Sequence, residues 1–143
     1  MTKESIYGMP NVGCLLGTAY QIQLALLNSS LRNARLNISP AEYLILRGLY
    51  SEDGLQQCDL SDLLGKDKAS VSRCVAAMER KGLVRTECIS HKCRRVWLTE
   101  MSKVIKPEIM EIARQRHDAL LNIANKEDMD AFVRVLKQMV NLK

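Results

Sequence analysis

Aromatic residues are scarce in this sequence: among 143 residues there are one Trp, one Phe and four Tyr. Proteins that bind single-stranded nucleic acid stack its bases on aromatic side chains, so the scarcity argues against that class of protein. The sequence also has only two histidines, no glycine-rich phosphate loop and no nucleophile elbow. We therefore expect no enzymatic activity and no cofactor.

Acidic residues are few in one segment, and that segment carries the positive charge of the chain. Residues 66–95 contain nine Lys or Arg and three acidic residues, a local net charge of +6. The whole chain has a net charge of only +5, from 21 basic and 16 acidic residues, so the remainder sums to −1. A basic patch of this kind favours a polyanionic partner, and nucleic acid is the leading candidate.

Charge of either sign is absent from Ser5 to Leu31, a stretch of 27 residues that is long enough to span a bilayer. Seven of its residues are costly in lipid: Pro10, Asn11, Gln21, Gln23, Asn28, Ser29 and Ser30. Two apolar stripes at helical spacing instead predict a helix that is buried on two sides. The stripes are Leu16, Tyr20, Leu24, Leu27 and Leu31, and Val12, Leu15, Ala19, Ile22 and Leu26. We expect one side to contact its own domain and the other a second chain, with no membrane partner.

The five cysteines are an odd number and widely spread, and the chain shows no convincing signal peptide. Reduced thiols in a cytoplasmic protein are the simplest interpretation. Cys14 lies near the start of the first predicted helix, where the helix N-terminus could activate its thiol. The alternative for Cys14 is a small, buried apolar residue, and we expect Cys58 and Cys74 to be structural in the same way.

Cys88, His91 and Cys93 have the side-chain types that bind soft metals. A closed zinc site needs four ligands, and the adjacent sequence supplies no fourth. An ordinary hairpin with incidental cysteines and a Cys88–Cys93 disulfide formed under oxidative stress are the alternatives. We expect no metal site, with this cluster as the weak candidate.

Helix start and stop signals follow one another through the middle of the chain. The predicted helices run from a Ser39 capping box to about Tyr50, from Asp59 to Gly65, and from Asp67 or Lys68 to Gly82. Beyond Gly82, two runs rich in Val, Ile and Trp, Leu83–Ile89 and Arg94–Leu98, predict a β-hairpin. Thr99 then opens a helix to about Asn122, interrupted in principle by Pro107, and Asn125 opens a last helix.

The two helices around Gly65 form a helix-turn-helix pattern. The second helix presents small polar and basic side chains at its start, which the major groove of double-stranded DNA can admit. The basic hairpin behind it would form a wing over the DNA backbone or the minor groove. The candidate DNA-binding residues are Lys66, Lys68, Ser70, Ser72, Arg73, Lys92, Arg94 and Arg95. A solvated basic face is the alternative, and Arg80 and Lys81 are expected mainly to close their own helix.

Three runs, ISPAEYLILRGLY, DLSDLLGKDKASVSRCVAAMERKGLVRTE and RRVWLTE, resemble the MarR family of bacterial winged-helix regulators over roughly residues 38–105. The resemblance implies an obligate homodimer that is held by the N- and C-terminal helices and binds a pseudo-palindromic operator. It also implies release from DNA by a small-molecule ligand or an oxidant. The peroxide-sensing branch of the family has a reactive cysteine near the start of the first helix, where Cys14 lies.

The wing departs from the family pattern, in which an Asp, any residue and an Arg precede a Leu-Thr pair. Counting back from Leu98 without gaps puts Ser90 and Lys92 at the two positions, whereas a shorter wing uses Lys92 and Arg94. The two alignments leave open which basic side chain enters the minor groove.

The sequence therefore predicts a mainly α-helical protein: a winged helix-turn-helix with a small β-hairpin wing, plus N- and C-terminal dimerisation helices. The expected divisions are residues 1–37, 38–99 and 100–143. The predicted function is sequence-specific binding of double-stranded DNA as a transcriptional regulator, with repression favoured. A winged-helix module that binds proteins without DNA is the rival, and the +6 charge around the second helix discriminates against it.

Overall fold

The computed structural model describes residues 5–6 and 9–142, with the side chains of residues 11–142. Seven helices are present in this part of the chain: α1 Val12–Asn33, α2 Pro40–Ser51, α3 Gln57–Leu64, α4 Lys68–Arg80, α5 Glu100–Val104, α6 Lys106–Leu121 and α7 Lys126–Val140. The strands are β1 Ser5–Ile6, β2 Met9–Pro10, β3 Leu55–Gln56, β4 Val84–Ser90 and β5 Cys93–Leu98. The first two strands pair with each other, and the others form an antiparallel sheet in the order β3-β5-β4. The mainly helical fold with a hairpin wing is confirmed.

The core lies where α2, α3 and α4 pack against one another and against β5. Helices α2 and α4 each bury one apolar stripe, as amphipathic helices of a small domain must, and α3 buries Leu60. The fully buried side chains include Ile45, Leu46, Leu49, Leu60, Val71, Val75, Met78 and Val96. Burial of these stripes fixes which face of α4 is left exposed.

Side-chain capping fixes the starts of the helices. The predicted capping box of α2 is confirmed: Ser39 Oγ accepts from the N–H of Glu42 at 3.2 Å, and Glu42 Oε1 accepts from the N–H of Ser39 at 2.9 Å. Asp59 was predicted to cap α3, and that prediction is wrong. Gln56 is the residue before α3, and Asp59 accepts from its N–H at 3.2 Å. Asp59 thus stabilises the helix start from inside the first turn.

Two further elements differ from the prediction. β3, which pairs with β5, was not predicted, because two residues are too short to show a strand period. The helix expected from Thr99 to Asn122 is two helices, divided at Ile105. Pro107 lies in the first turn of α6, where its missing N–H costs nothing, and it cannot continue the preceding helix.

The terminal helices leave much of their apolar surface uncovered. Within α1 only Leu27 and Leu31 are buried, and within α7 no residue is buried. The second predicted stripe of α1 is exposed, with Val12 at 49% and Ile22 at 51%. No helix in the described part of the chain is long and apolar enough to cross a membrane.

Candidate nucleic-acid interface

A chain of hydrogen bonds organises the start of α4. Asp67 Oδ1 accepts from the N–H of Ser70 at 2.7 Å, as an N-cap carboxylate does. Ser70 Oγ in turn accepts from Nη2 of Arg73 at 3.2 Å. The hydrogen bonds from Ser70, and then the charge of Arg73, hold the pKa of the Asp67 carboxyl below its usual range. The guanidinium of Arg73 is therefore drawn toward the N-terminal end of the helix while remaining exposed.

The opposite face of α4 anchors it to the core. Val71 and Val75 are each 1% exposed and Met78 is fully buried. This stripe leaves Lys68, Ser72 and Arg73 exposed. These are small polar or basic side chains at the start of a helix that follows a tight turn, which the helix-turn-helix pattern requires of a recognition helix. Gly65 makes that turn at φ +63, a left-handed conformation that glycine adopts without strain.

The wing is the hairpin of β4 and β5, closed by His91 and Lys92. Both of these residues are exposed, and Arg94, opposite Cys88 in the sheet, is exposed as well. Arg95 differs, because it is half-buried and its Nη1 donates to the carbonyl of Gly54 at 2.9 Å. One of the three predicted wing cations is thus bonded within the domain.

A groove of about 410 Å³ separates α3, the start of α4 and the wing. It is lined by Gln56, Gln57, Cys58, Ser61, Lys68, Ser72, His91, Lys92, Cys93 and Arg94. Four of the predicted DNA-binding residues therefore meet at one surface: Lys68, Ser72, Lys92 and Arg94. Lys66, Ser70, Arg73 and Arg95 do not line this groove.

Residues of β3 and α3 at this surface were not predicted from the sequence. Gln56, Gln57 and Ser61 line the groove because β3 pairs with β5, with Gln56 opposite Arg95. That pairing brings the first turn of α3 beside the wing. A two-residue strand gives no periodic signal, so the sequence offered no direct evidence for this approach.

Lys81 has a structural role, as expected, but its side chain bonds residues outside its own helix. Its Nζ donates to Glu42 Oε1 at 2.8 Å and to the carbonyl of Asn37 at 3.0 Å. Glu42 is 3% exposed, so a buried carboxylate at the start of α2 is neutralised from the end of α4. The neighbouring Arg80 is exposed.

The five cysteines are all free thiols. Cys14 and Cys58 are exposed, so the interpretation of either as a small buried residue is wrong. Cys74 is half-buried, and that burial raises the pKa of its thiol. Exposure of Cys14 follows from its place on the uncovered part of α1, where its N–H donates to Asn11 Oδ1 at 3.3 Å.

The cluster Cys88, His91 and Cys93 receives no support as a zinc site. Across residues 11–142, no three His, Cys, Asp or Glu side chains are placed to hold a metal ion together. Cys88 Sγ instead donates to the carbonyl of Ser90 at 3.3 Å.

Comparison with known proteins agrees with this geometry. The sequence model of the MarR family matches residues 36–92, which include α2, α3, α4 and the wing tip. The chain is 27% identical over 107 residues to the transcriptional regulator HosA of Escherichia coli O157:H7, an alignment that covers 73% of this chain and 79% of HosA.

Solved structures show the same fold. The chain resembles BpsR of Bordetella bronchiseptica, whose DNA binding is regulated by 6-hydroxynicotinic acid, with a TM-score of 0.82 and 19% identity over 97% of this chain and 99% of BpsR. It also resembles MepR of S. aureus in complex with DNA, with a TM-score of 0.79 and 20% identity over 88% of this chain and 93% of MepR. Family match and winged fold agree: residues 36–92 are similar to the MarR family, and the chain has the fold of solved MarR-family transcriptional regulators.

Proposed function

We propose that this chain is a repressor that binds a pseudo-palindromic operator in double-stranded DNA as a homodimer. A small-molecule ligand or an oxidant releases it. The observation that carries the proposal is the groove between α4 and the wing, where Lys68, Lys92 and Arg94 meet with Ser72. Three cations on a surface built from a recognition helix and a wing suit a DNA duplex, whose phosphate backbone runs between the two grooves that the helix and the wing would enter.

The start of α4 supplies sequence recognition in this proposal. Ser70, Ser72 and Arg73 reach the base edges of the major groove, while Lys66 and Lys68 contact phosphates. The hydrogen bond from Arg73 to Ser70 supports this assignment, since it reduces the number of conformations that the guanidinium must lose on binding. An arginine in such a position can donate two hydrogen bonds to one guanine.

The wing supplies the second contact. Lys92 lies at the tip of the hairpin and is the side chain that we place in the minor groove. Arg94 lines the groove beside α4 and contacts the intervening phosphates. Arg95 takes the smallest part in DNA binding, because its guanidinium is hydrogen-bonded to Gly54.

The uncovered apolar faces of the terminal helices support a homodimer. Val12, Leu15, Ile22 and Leu26 on α1 are 41–51% exposed, and Phe132 and Val140 on α7 are 50% and 70% exposed. Soluble monomers rarely expose contiguous apolar patches of this kind. A two-fold dimer through helices near 12–35, 100–122 and 126–142 would cover them and set two recognition helices about one DNA turn apart.

Regulation by a small molecule is supported by BpsR, whose DNA binding responds to 6-hydroxynicotinic acid. A ligand releases DNA only if it binds one arrangement of the dimer more tightly than the other. The oxidant alternative needs an accessible thiol, and Cys58 is exposed outside the proposed dimer helices.

The test of the proposal is DNA binding by Arg73→Ala. A duplex selected from a random pool with the unmodified protein serves as the probe, and a gel shift measures affinity. We expect a loss of at least about tenfold, which corresponds to one well-placed bidentate contact. Arg47→Ala is the matched control, since Arg47 is an exposed arginine that lies over the Tyr43 ring outside the groove. Equal affinity of both variants for the selected duplex would remove Arg73 from the interface.

A further inference from the structure

The groove between α3, α4 and the wing contains two thiols that have no part in the proposed DNA contacts. Cys58 is exposed in the first turn of α3, and Cys93 is half-buried at the start of β5. Both line the groove that also holds Lys68, Ser72 and Arg94. A chemical change at either thiol therefore takes place on the surface proposed to hold DNA.

The strand register explains why the segments that carry the two thiols lie side by side. β3 and β5 are antiparallel, with Leu55 opposite Val96 and Gln56 opposite Arg95. If β3 continued by two residues, this register would bring Cys58 level with Cys93. The chain turns into α3 at Gln57, so Cys58 lies over the end of the ladder rather than within it. Its thiol is held by one contact in the described structure, a hydrogen bond of 3.4 Å to Gln56 Oε1.

We propose that Cys58 and Cys93 form a redox pair, which a hydroperoxide oxidises to an intrachain disulfide that closes the groove to DNA. The proposal rests on the proposed function, because it assigns the oxidant response to the DNA-binding surface itself. It differs from a Cys88–Cys93 bond, since Cys88 lies opposite Arg94 and its Sγ donates to the Ser90 carbonyl.

The reaction balances with the hydroperoxide as the oxidant. The sulfur of Cys58, the more exposed thiol, attacks the terminal peroxide oxygen, the O–O bond breaks, and an alcohol leaves. The resulting sulfenic acid is attacked by the sulfur of Cys93, which forms the S–S bond and releases water. Two thiols and one hydroperoxide thus give one disulfide, one alcohol and one water. A thiol reductant reverses the reaction by exchange.

Closure has a direct geometric consequence. A disulfide holds its two Cα atoms within about 7 Å, so α3 and the wing are fixed across the groove. Lys68, Ser72 and Arg94 lie in the same groove, and a backbone phosphate could then no longer enter between them. We expect operator affinity to fall by about tenfold or more, the loss that follows when a few phosphate contacts are removed.

The test uses the full chain with the other thiols removed, as Cys14→Ser, Cys74→Ala and Cys88→Ser together. Treatment with tert-butyl hydroperoxide should remove two hydrogens from the intact mass, and peptide mapping should join Cys58 to Cys93. Fluorescence anisotropy on the duplex selected with the reduced protein should show the affinity loss, and dithiothreitol should restore binding. The same variant with Cys58→Ser in addition is the control and should keep its affinity after oxidation.

Peptide mapping of the oxidised unmodified chain provides a second measurement that does not depend on the folding of the variant. Absence of a Cys58–Cys93 peptide in both proteins would overturn the inference, as would a disulfide that leaves duplex affinity unchanged. A reduced protein that bound no duplex would contradict the proposed function instead, and mass and mapping would still report whether the disulfide forms.

Discussion

Lys81 Nζ lies 2.8 Å from Oε1 of Glu42, so the last turn of the recognition helix is tied to the first turn of α2. Glu42 is almost fully buried and uses the same oxygen to accept the N–H of Ser39. The contact therefore joins a helix cap to an ion pair, and it aligns α4 within the domain.

Replacing Lys81 by Met should lower the free energy of unfolding by about 2–3 kcal/mol, because the Glu42 carboxylate stays buried without its cation. Urea denaturation measures the change. Arg80→Met is the control, and its exposed side chain predicts a change within about 0.5 kcal/mol. Similar unfolding midpoints for the two variants would mean that the ion pair does not stabilise the fold.

Tyr50 should make the stability of the folded state depend on pH in the alkaline range. Its hydroxyl donates to the carbonyl of Ser102 at 2.5 Å, and burial raises the pKa of Tyr50 from 10.0 to about 12. The folded state thus holds the phenolic proton more tightly than the unfolded state. The stabilisation is complete below pH 10 and is lost as the pH rises toward 12.

Tyr50→Phe should therefore reduce the fall in melting temperature between about pH 10 and about pH 12, relative to the unmodified chain. At neutral pH the same variant should lose about 1 kcal/mol, the worth of one hydrogen bond. Tyr20→Phe is the matched control, since Tyr20 is 57% exposed. An identical alkaline fall for all three proteins would show that Tyr50 does not contribute to it.

Two features of the structure require glycine at position 54: a positive φ and close contact with the Trp97 ring. Substitutions at Gly54 and Gly65 can separate the two effects. Its φ is +76, and a Cβ placed there would lie 2.4 Å from Cη2 of Trp97. Gly54→Ala should cost about 2–4 kcal/mol, because conformational strain and a clash with a packed indole add together. Gly65→Ala has a similar φ of +63 with open space around its Cβ, and should cost only about 1 kcal/mol. Equal losses in thermal melts would exclude the contribution of the clash.

Substitutions of Lys92 and Arg94 in the wing should affect sequence specificity and overall DNA affinity differently. Lys92→Ala should weaken binding most for the selected sequence, as expected of a side chain inside the minor groove, whereas Arg94→Ala should weaken all sequences alike. If the protein binds as the proposed homodimer, its log-log salt slope should be roughly −4 to −5, and loss of Arg94 from both subunits should reduce the magnitude of the slope by about 2. Anisotropy titrations on the selected and a scrambled duplex measure both quantities. The reverse pattern would place Arg94, not Lys92, in the minor groove.

Local signals were sufficient for most of the fold. The Ser39 capping box, the Asp67 cap and the Asn125 cap each mark a helix start that the structure confirms. These predictions succeeded because a cap is a contact between residues three positions apart, and sequence spacing determines it.

Non-local contacts could not be predicted in the same way. The pairing of Gln56 with Arg95 spans a long stretch of chain, and it is what brings α3 beside the wing. The basic residues of the groove were recognised from charge and helix position, but the presence of Cys58 and Cys93 in one groove depends on that pairing. The hydrogen bond from Arg95 to the carbonyl of Gly54 could not be predicted from the sequence for the same reason.

The helix α7 has a strong apolar stripe but no buried residue anywhere in 126–140. A helix of 15 residues is marginal in water when nothing covers its apolar side. In the proposed homodimer a second chain would cover this side, so helix formation and subunit assembly would form one equilibrium. We therefore expect α7 to unfold on dilution, so that far-ultraviolet circular dichroism loses helical signal as protein concentration falls. The amount of this regulator in a cell would then set not only how much of it is bound to DNA but how much of it is folded.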